Sequence, residues 1–158
     1  MSHTVHPYSH RLGILRDWKS RWFSPKGKFK EYLEADVVIR RYLEKKLKGF
    51  FIADIEIERS QKALRIILST SRPGMIIGRA GDGSQKLLAD VKKLLEKKKL
   101  LPAKVELKLD VKEVKSPESN AAIVAEMVVD GLEKRMPFRR VMKSMLEKVM
   151  ANRDVQGV

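Results

Sequence analysis

The chain of 158 residues has no cysteine, which excludes disulfides and thiolate metal centres and fits a reducing interior. No apolar run approaches the roughly 20 residues that a membrane span needs, so no membrane partner is expected. The opening Met1-Ser2-His3-Thr4-Val5-His6-Pro7 lacks the apolar core of a secretory signal. The protein is expected to work where it is made. Acidic residues are scarce beside basic ones: 20 Asp and Glu stand against 34 Lys and Arg, giving a formal net charge of +14. With a pI near 10.1, a polyanionic partner is the leading expectation, because fixed positive charge gains from releasing the counterions condensed on nucleic acid. The excess is uneven. Residues 1–48 hold 12 Lys/Arg against 5 Asp/Glu and residues 49–115 hold 15 against 9, whereas residues 116–158 hold 7 against 6.

Catalytic and metal-binding patterns are also missing. There is no Ser/His/Asp set, no clear nucleophile and no carboxylate pair isolated in apolar surroundings; Asp54, Glu56 and Glu58 read as the wet side of a strand. His3, His6 and His10 are spaced by three and four in a stretch without helical pattern, and no carboxylate or thiolate accompanies them. Neither an enzyme, nor a metal, nor a cofactor is expected.

What is present is a modest core: 43% of residues are hydrophobic. Residues 1–28 read as an irregular basic extension in which Trp18, Trp22 and Phe23 lie among Arg16, Lys19 and Arg21. Such aromatics either stack on bases or pack on the protein's own domain. From Lys30 to Lys48, Tyr32, Ala35, Ile39, Tyr42 or Leu43, and Leu47 recur at helical steps, and Gly49 ends the run. Phe51, Ala53, Ile55 and Ile57 then alternate with acids as one strand, and Leu64, Ile66 and Leu68 mark a second from Ala63 to Ser69. Pro73 opens a short helix ending at Gly78. A longer helix from about Gly83 to Lys99, capped by Asp82 or Ser84, buries Leu87, Leu88, Val91, Leu94 and Leu95. Its terminal lysines suit the negative end of the helix dipole and need no ligand. Ala103, Val105, Leu107, Leu109 and Val111 alternate with polar residues as a third strand. After Lys115-Ser116-Pro117, two more helices are expected at about 118–135 and 138–152. The stripe of Ile123, Val124, Met127, Val128 and Leu132 on the first, and that of Phe138, Val141, Met142, Met145, Val149 and Met150 on the second, read as core.

The most informative stretch is Gly74-Met75-Ile76-Ile77-Gly78-Arg79-Ala80-Gly81. Two glycines three apart let a backbone approach a sugar-phosphate strand where a Cβ would collide, and the next helix turns free N–H groups toward phosphate. The lysine that a P-loop carries before its Ser is absent ahead of Ser84, and Gly78 follows a helix rather than a strand, which argues against a nucleotide-hydrolase loop. In the order helix, strand, strand, short helix, glycine turn, helix, strand, this resembles the single-strand clamp of a type II KH domain. The expected fold is therefore α+β: a three-stranded sheet packed by helices over residues 29–115, preceded by the basic extension of residues 1–28 and followed by two helices in residues 116–158. Gly78, Arg79, Ala80 and Gly81 are the expected RNA-binding loop, with Arg79 on phosphate and Ala80 contributing smallness. A second constellation, Phe138-Arg139-Arg140-Val141-Met142-Lys143, sets Arg139 and Lys143 one turn apart with Arg140 beside them, on the outer surface of a near-neutral segment.

Three stretches in order then carry a resemblance across nearly the whole chain. Val5-His6-Pro7 with Arg11-Leu12-Gly13-Ile14, Trp18 and Ser20-Arg21-Trp22-Phe23 is the first; Arg72-Pro73 with the glycine stretch is the second; Met136-Pro137-Phe138-Arg139-Arg140-Val141-Met142-Lys143 is the third. Together they closely resemble the family of the bacterial small-subunit ribosomal protein S-three. The resemblance implies a structural, non-enzymatic constituent of the ribosome in the cytoplasm, or in an organelle, seated in the small-subunit head. Its implied partners are ribosomal RNA, messenger RNA and neighbouring head proteins. It implies that Arg139, Arg140 and Lys143 line the channel through which messenger RNA enters, and that His6, Arg11, Arg16, Lys19, Arg21 and Trp22 of the extension meet ribosomal RNA. The family's loop usually carries two lysines where this chain has Arg79 and Ala80, and the family continues past the position of Val158 into a further mixed domain. A free-standing KH-domain regulator or RNA chaperone is the alternative.

Overall fold

The computed structural model of the chain describes residues 4–25, 27–100 and 105–157. In chain order the elements are α1 (Pro7–His10), β1 (Ser20–Arg21), α2 (Phe29–Lys46), β2 (Ile52–Arg59), β3 (Ala63–Thr70), α3 (Pro73–Ile77), α4 (Asp82–Lys97), β4 (Glu106–Glu113), α5 (Ala121–Glu133) and α6 (Phe138–Met150). Short 3-10 turns at Arg79–Gly81 and Pro117–Ser119 lead into α4 and α5. The strand expected to begin at Ala103 starts among the described residues at Glu106; Ala103 and Lys104 lie outside them, as does His3.

Antiparallel pairing of β2 with β3 sets Ile57 opposite Ile66, and parallel pairing of β3 with β4 sets Ile66 opposite Leu109. The alternation along each strand therefore collects Ile55, Ile57, Leu64, Ile66 and Leu68 on one face. There they meet Ala35, Ile39, Leu43 and Leu47 of α2, Ile76 of α3, and Leu87, Val91 and Leu95 of α4 in one core, with Leu107, Leu109 and Val111 half-buried against it. A sheet face covered by helices on one side is the architecture that this pattern dictates.

The sheet has four strands rather than the three expected. Ser20 and Arg21 pair in parallel with Ile57 and Glu58, giving the order β1-β2-β3-β4. Two residues carry too little alternation to announce a strand, and the extension is less irregular than its composition implied. Phe51 also leaves the strand assigned to it. It stands before β2 at φ +55° yet is buried, and the β2–β3 register shifts between Ile52 and Asp54, so Ala53 falls out of phase.

Candidate nucleic-acid interface

The glycine turn is set from below by Thr70, the fully buried last residue of β3. Its hydroxyl donates to the Phe50 carbonyl at 2.8 Å and accepts from the Arg72 N–H at 3.1 Å, fixing where α3 begins. Pro73 occupies the first turn of α3, where its missing N–H costs nothing. The chain then leaves the helix through Gly78 at φ +73°, Ala80 at φ +52° and Gly81 at φ +87°, a run of left-handed conformations that brings Arg79 to the surface. A Cβ on Gly78 would stand 3.0 Å from the Gly83 nitrogen.

Neither Asp82 nor Ser84 caps α4 as expected. The helix starts at Asp82 with Gly81 at the cap position and no side-chain cap, and the Ser84 hydroxyl donates to the Gly81 carbonyl at 2.8 Å instead. The first turn of α4 thus keeps N–H groups that no side chain claims, the condition under which a helix N-terminus receives a phosphate oxygen. Gly83 is the residue that the sequence pattern did not single out. A Cβ there would lie 2.5 Å from the Ile76 carbonyl oxygen and 2.9 Å from that of Ile77, so α3 and α4 cross backbone to backbone. The available signal was a third glycine two residues after Gly81. Beside the turn, Leu47, Phe50, Met75 and Leu87 line an apolar hollow of about 350 Å³ between the end of α2 and the α3–α4 pair.

The residues expected in the extension divide into two groups. Arg21 and Trp22 are held by the protein itself. The Arg21 guanidinium reaches Glu56 at 2.6 Å, Glu58 at 2.7 Å and Asp17 at 2.8 Å, and Glu58, then Glu56, hold it above the ordinary arginine range. The Trp22 indole N–H donates to the Asp36 carboxylate at 2.7 Å. Asp36 also pairs with Arg59 at 3.2 Å, each side chain only 4% exposed, and the Tyr32 ring lies 4.4 Å from the Arg59 guanidinium. Arg40 completes the attachment by donating to the Lys19 carbonyl at 2.7 Å, to the Ser20 hydroxyl at 2.9 Å and to the Ile55 carbonyl. Of the two fates open to the extension's aromatics, Trp22 thus packs on its own domain.

His6, Arg11, Arg16 and Lys19 are exposed and come together along one cleft of about 480 Å³, shared with Asp54 and the start of α5. His6 accepts from the Tyr8 N–H at 3.1 Å, Lys19 pairs with Asp54 at 3.0 Å, and both Arg16 and Lys19 lie within 6 Å of the Tyr8 ring centre, at 5.8 and 5.5 Å. Among the described residues, no three His, Asp or Glu side chains converge as a metal site requires.

The third group sits on α6. Asn120 caps α5 by accepting from the Ala122 N–H at 3.0 Å, and the chain reverses through Arg135 at φ +57°. The return helix packs Val141 against Gly131, where a Cβ would meet the Val141 methyl at 3.0 Å. With Val141 and Val149 buried, Arg139, Arg140 and Lys143 are all exposed, and among the described residues none of them enters an ion pair. The stripes assigned to the core need correction: Leu132 of α5 is 44% exposed, and on α6 Phe138 is 63% exposed, Met142 49% and Met150 54%. A helix packed along one neighbour buries one narrow stripe, here Val141 and Val149, and leaves the adjoining apolar row in solvent.

Comparison with known proteins agrees with this geometry. A family model described as "KH domain" matches residues 38–119, and with the glycine turn between α3 and α4 this makes the chain a KH-domain protein. The match to whole proteins is more specific. The small ribosomal subunit protein uS3 of Caldicellulosiruptor bescii is 42% identical over 150 residues, covering 95% of this chain and 64% of the relative. That of Agathobacter rectalis is 40% identical over 158 residues, 100% of this chain and 68% of the relative. The uS3 of Clostridium perfringens is 38% identical over 150 residues, 95% of this chain and 64% of the relative. The chain belongs to the small ribosomal subunit protein uS3 family, and it spans about two thirds of the length of these relatives.

Proposed function

We propose that the protein is a structural, non-catalytic constituent of the small ribosomal subunit that binds ribosomal RNA in the head and helps form the channel through which messenger RNA enters. The observation that carries this reading is the trio Arg139, Arg140 and Lys143, which stands exposed and, among the described residues, unpaired on α6 in a segment that is otherwise slightly acidic. Some other exposed cations have a simpler account, such as Lys48 in its ion pair with Glu133 or Lys97 in the last turn of α4. Three free cations one turn apart suit a strand that must slide, because phosphate contacts grip without reading sequence and exchange readily. Membership of the uS3 family supports the ribosomal setting, in the cytoplasm or in an organelle, with ribosomal RNA, messenger RNA and neighbouring head proteins as partners.

In this reading residues 1–28 form a basic arm, residues 29–115 the KH domain and residues 116–158 a helical segment. His6, Arg11, Arg16 and Lys19 offer phosphate contacts, while Arg21 and Trp22 hold the arm in place. The turn of Gly78, Arg79, Ala80 and Gly81 supplies a close backbone approach with a single cation.

Sedimentation through sucrose tests the setting: the protein should travel with small subunits at high salt, and its absence from them would reject a ribosomal role. Replacing Arg139, Arg140 and Lys143 with Ala tests the channel. Assembly should persist while translation through a stable message hairpin slows, and an unchanged pause would remove that assignment.

A further inference from the structure

The two tryptophans of the chain, Trp18 and Trp22, line one cleft of about 490 Å³ with Phe29, Ser20 and Arg21. That volume falls within the range of small-ligand clefts, ~300–1,000 Å³. Trp22 cannot swing freely. Its indole N–H is tied to the buried Asp36 carboxylate at 2.7 Å, and the Tyr32 ring meets it edge-on at 5.7 Å and 87°. Phe29 packs against Trp22 with ring centres 5.4 Å apart and planes inclined by 52°, so the pair presents its outer faces to the cleft. Trp18 and Phe29 are 60% and 59% exposed, so their faces are open to a ligand from solvent. Arg21 forms a wall that three carboxylates hold still.

We infer that the Trp18–Trp22–Phe29 cleft is a stacking site for an unpaired nucleobase of RNA. Aromatic faces held in advance lose little freedom on binding, and any base offers a π-face to them, so such a site takes a flipped-out or looped base without reading sequence. Charge favours RNA over an apolar protein segment. Lys19 adjoins Trp18, Lys28 and Lys30 flank Phe29, all three are exposed, and residues 1–48 carry 12 Lys/Arg against 5 Asp/Glu. Among the described residues, Lys28 and Lys30 are the nearest free cations along the chain for the phosphates on either side of an inserted base, while Lys19 is paired with Asp54. This assignment rests on the reading of the extension as an RNA-binding arm and specifies which part of the RNA it holds.

Both tryptophans lie in the cleft, so their emission reports on it directly. The experiment titrates the purified full chain with single-stranded deca-adenylate and with an abasic decamer of equal charge, following tryptophan emission and, separately, the anisotropy of labelled decamer. Deca-adenylate should quench emission saturably, while the abasic decamer binds without quenching. Trp18→Ala should weaken deca-adenylate by about 5- to 100-fold and leave abasic binding unchanged. Phe29→Ala, another largely exposed position, should weaken deca-adenylate in the same direction, and far-UV circular dichroism checks that both variants fold. If neither does, the quenching comparison on the unaltered chain decides. Equal binding of the two decamers without quenching would overturn the base site and leave the cationic RNA arm standing. Failure of both to bind would overturn the two together. Saturable quenching by an aromatic peptide, with none by deca-adenylate, would give the cleft to a protein partner and equally overturn the proposal.

Discussion

The carbonyl oxygen of Ile76 stands 2.5 Å from the point that a Cβ on Gly83 would occupy. The obstacle is backbone, which cannot rotate away as a side chain can, so the α3–α4 crossing that aims the glycine turn depends on this one missing atom. Gly83→Ala is expected to destabilise the protein by about 1–3 kcal/mol through overpacking. Gly74→Ala meets nothing within 4 Å, and is expected to be neutral or to stabilise by up to about 1 kcal/mol. Urea denaturation of the two variants measures the contrast, and equal midpoints would refute the account of the crossing.

Asp36 should be the costliest polar residue of the core to replace. Asp36→Ala leaves the Arg59 guanidinium buried and unpaired, with an expected loss of about 3–5 kcal/mol. Trp22→Phe keeps an aromatic ring and the ion pair while removing one hydrogen bond to a charged group, a loss of about 1.5–3 kcal/mol. Thermal or chemical melts of the two variants should preserve that order; a milder Asp36→Ala would show that the pair is not buried in solution.

The α6 trio should be silent in stability. Arg139, Arg140 and Lys143 are exposed and unpaired among the described residues, so each alanine replacement is expected to fall within roughly 0.5 kcal/mol. The readout that moves is binding to single-stranded RNA, whose logarithmic salt dependence should flatten by about 0.7 for every phosphate that the variant no longer neutralises. An unchanged slope in the triple variant would show that the trio meets no phosphate.

The pair joining α2 to α4 predicts a pH dependence. Hydrogen bonding to Lys46 lowers the Asp90 pKa, and Asp90 and then Tyr42 raise that of Lys46. For a carboxylate whose folded pKa lies below its unfolded value, the contribution is in place above the ordinary value of 3.8 and disappears as pH falls through the folded value. For the raised lysine, it is in place below 10.5 and disappears as pH rises through the folded value. The melting-temperature difference between wild type and Asp90→Asn should be flat through neutral pH and shrink at both extremes, a profile followed by differential scanning calorimetry at low salt. A difference that drifts across neutrality would point to another titrating group.

The sequence made the KH core legible because its signals are long and redundant. Ala35, Ile39, Leu43 and Leu47 repeat at helical spacing, Leu64, Ile66 and Leu68 alternate, and all seven are buried. The glycine turn was legible because left-handed conformations select glycine, although Ala80 adopts one without being glycine. What escaped was long-range or one-sided. The pairing of Ser20 with Ile57 depends on Arg40 and Trp22 finding partners in distant elements, which no local pattern encodes. The close approach at Gly83 concerns a single atom. On α6 the periodicity gave the helix correctly, but it could not say how many neighbours the helix has, and so Phe138, Met142 and Met150 went to the core when they belong to the surface.

The stitching of the basic arm also sets an order of events during synthesis. Ser20 and Arg21 find their partners on β2, and Trp22 closes onto a carboxylate that Arg59 must neutralise. A chain made from its N-terminus delivers those cations long before their anchors exist. The arm is translated ahead of β2 and cannot settle until that strand is complete; through the interval an unsatisfied, strongly cationic tether trails from a half-made protein.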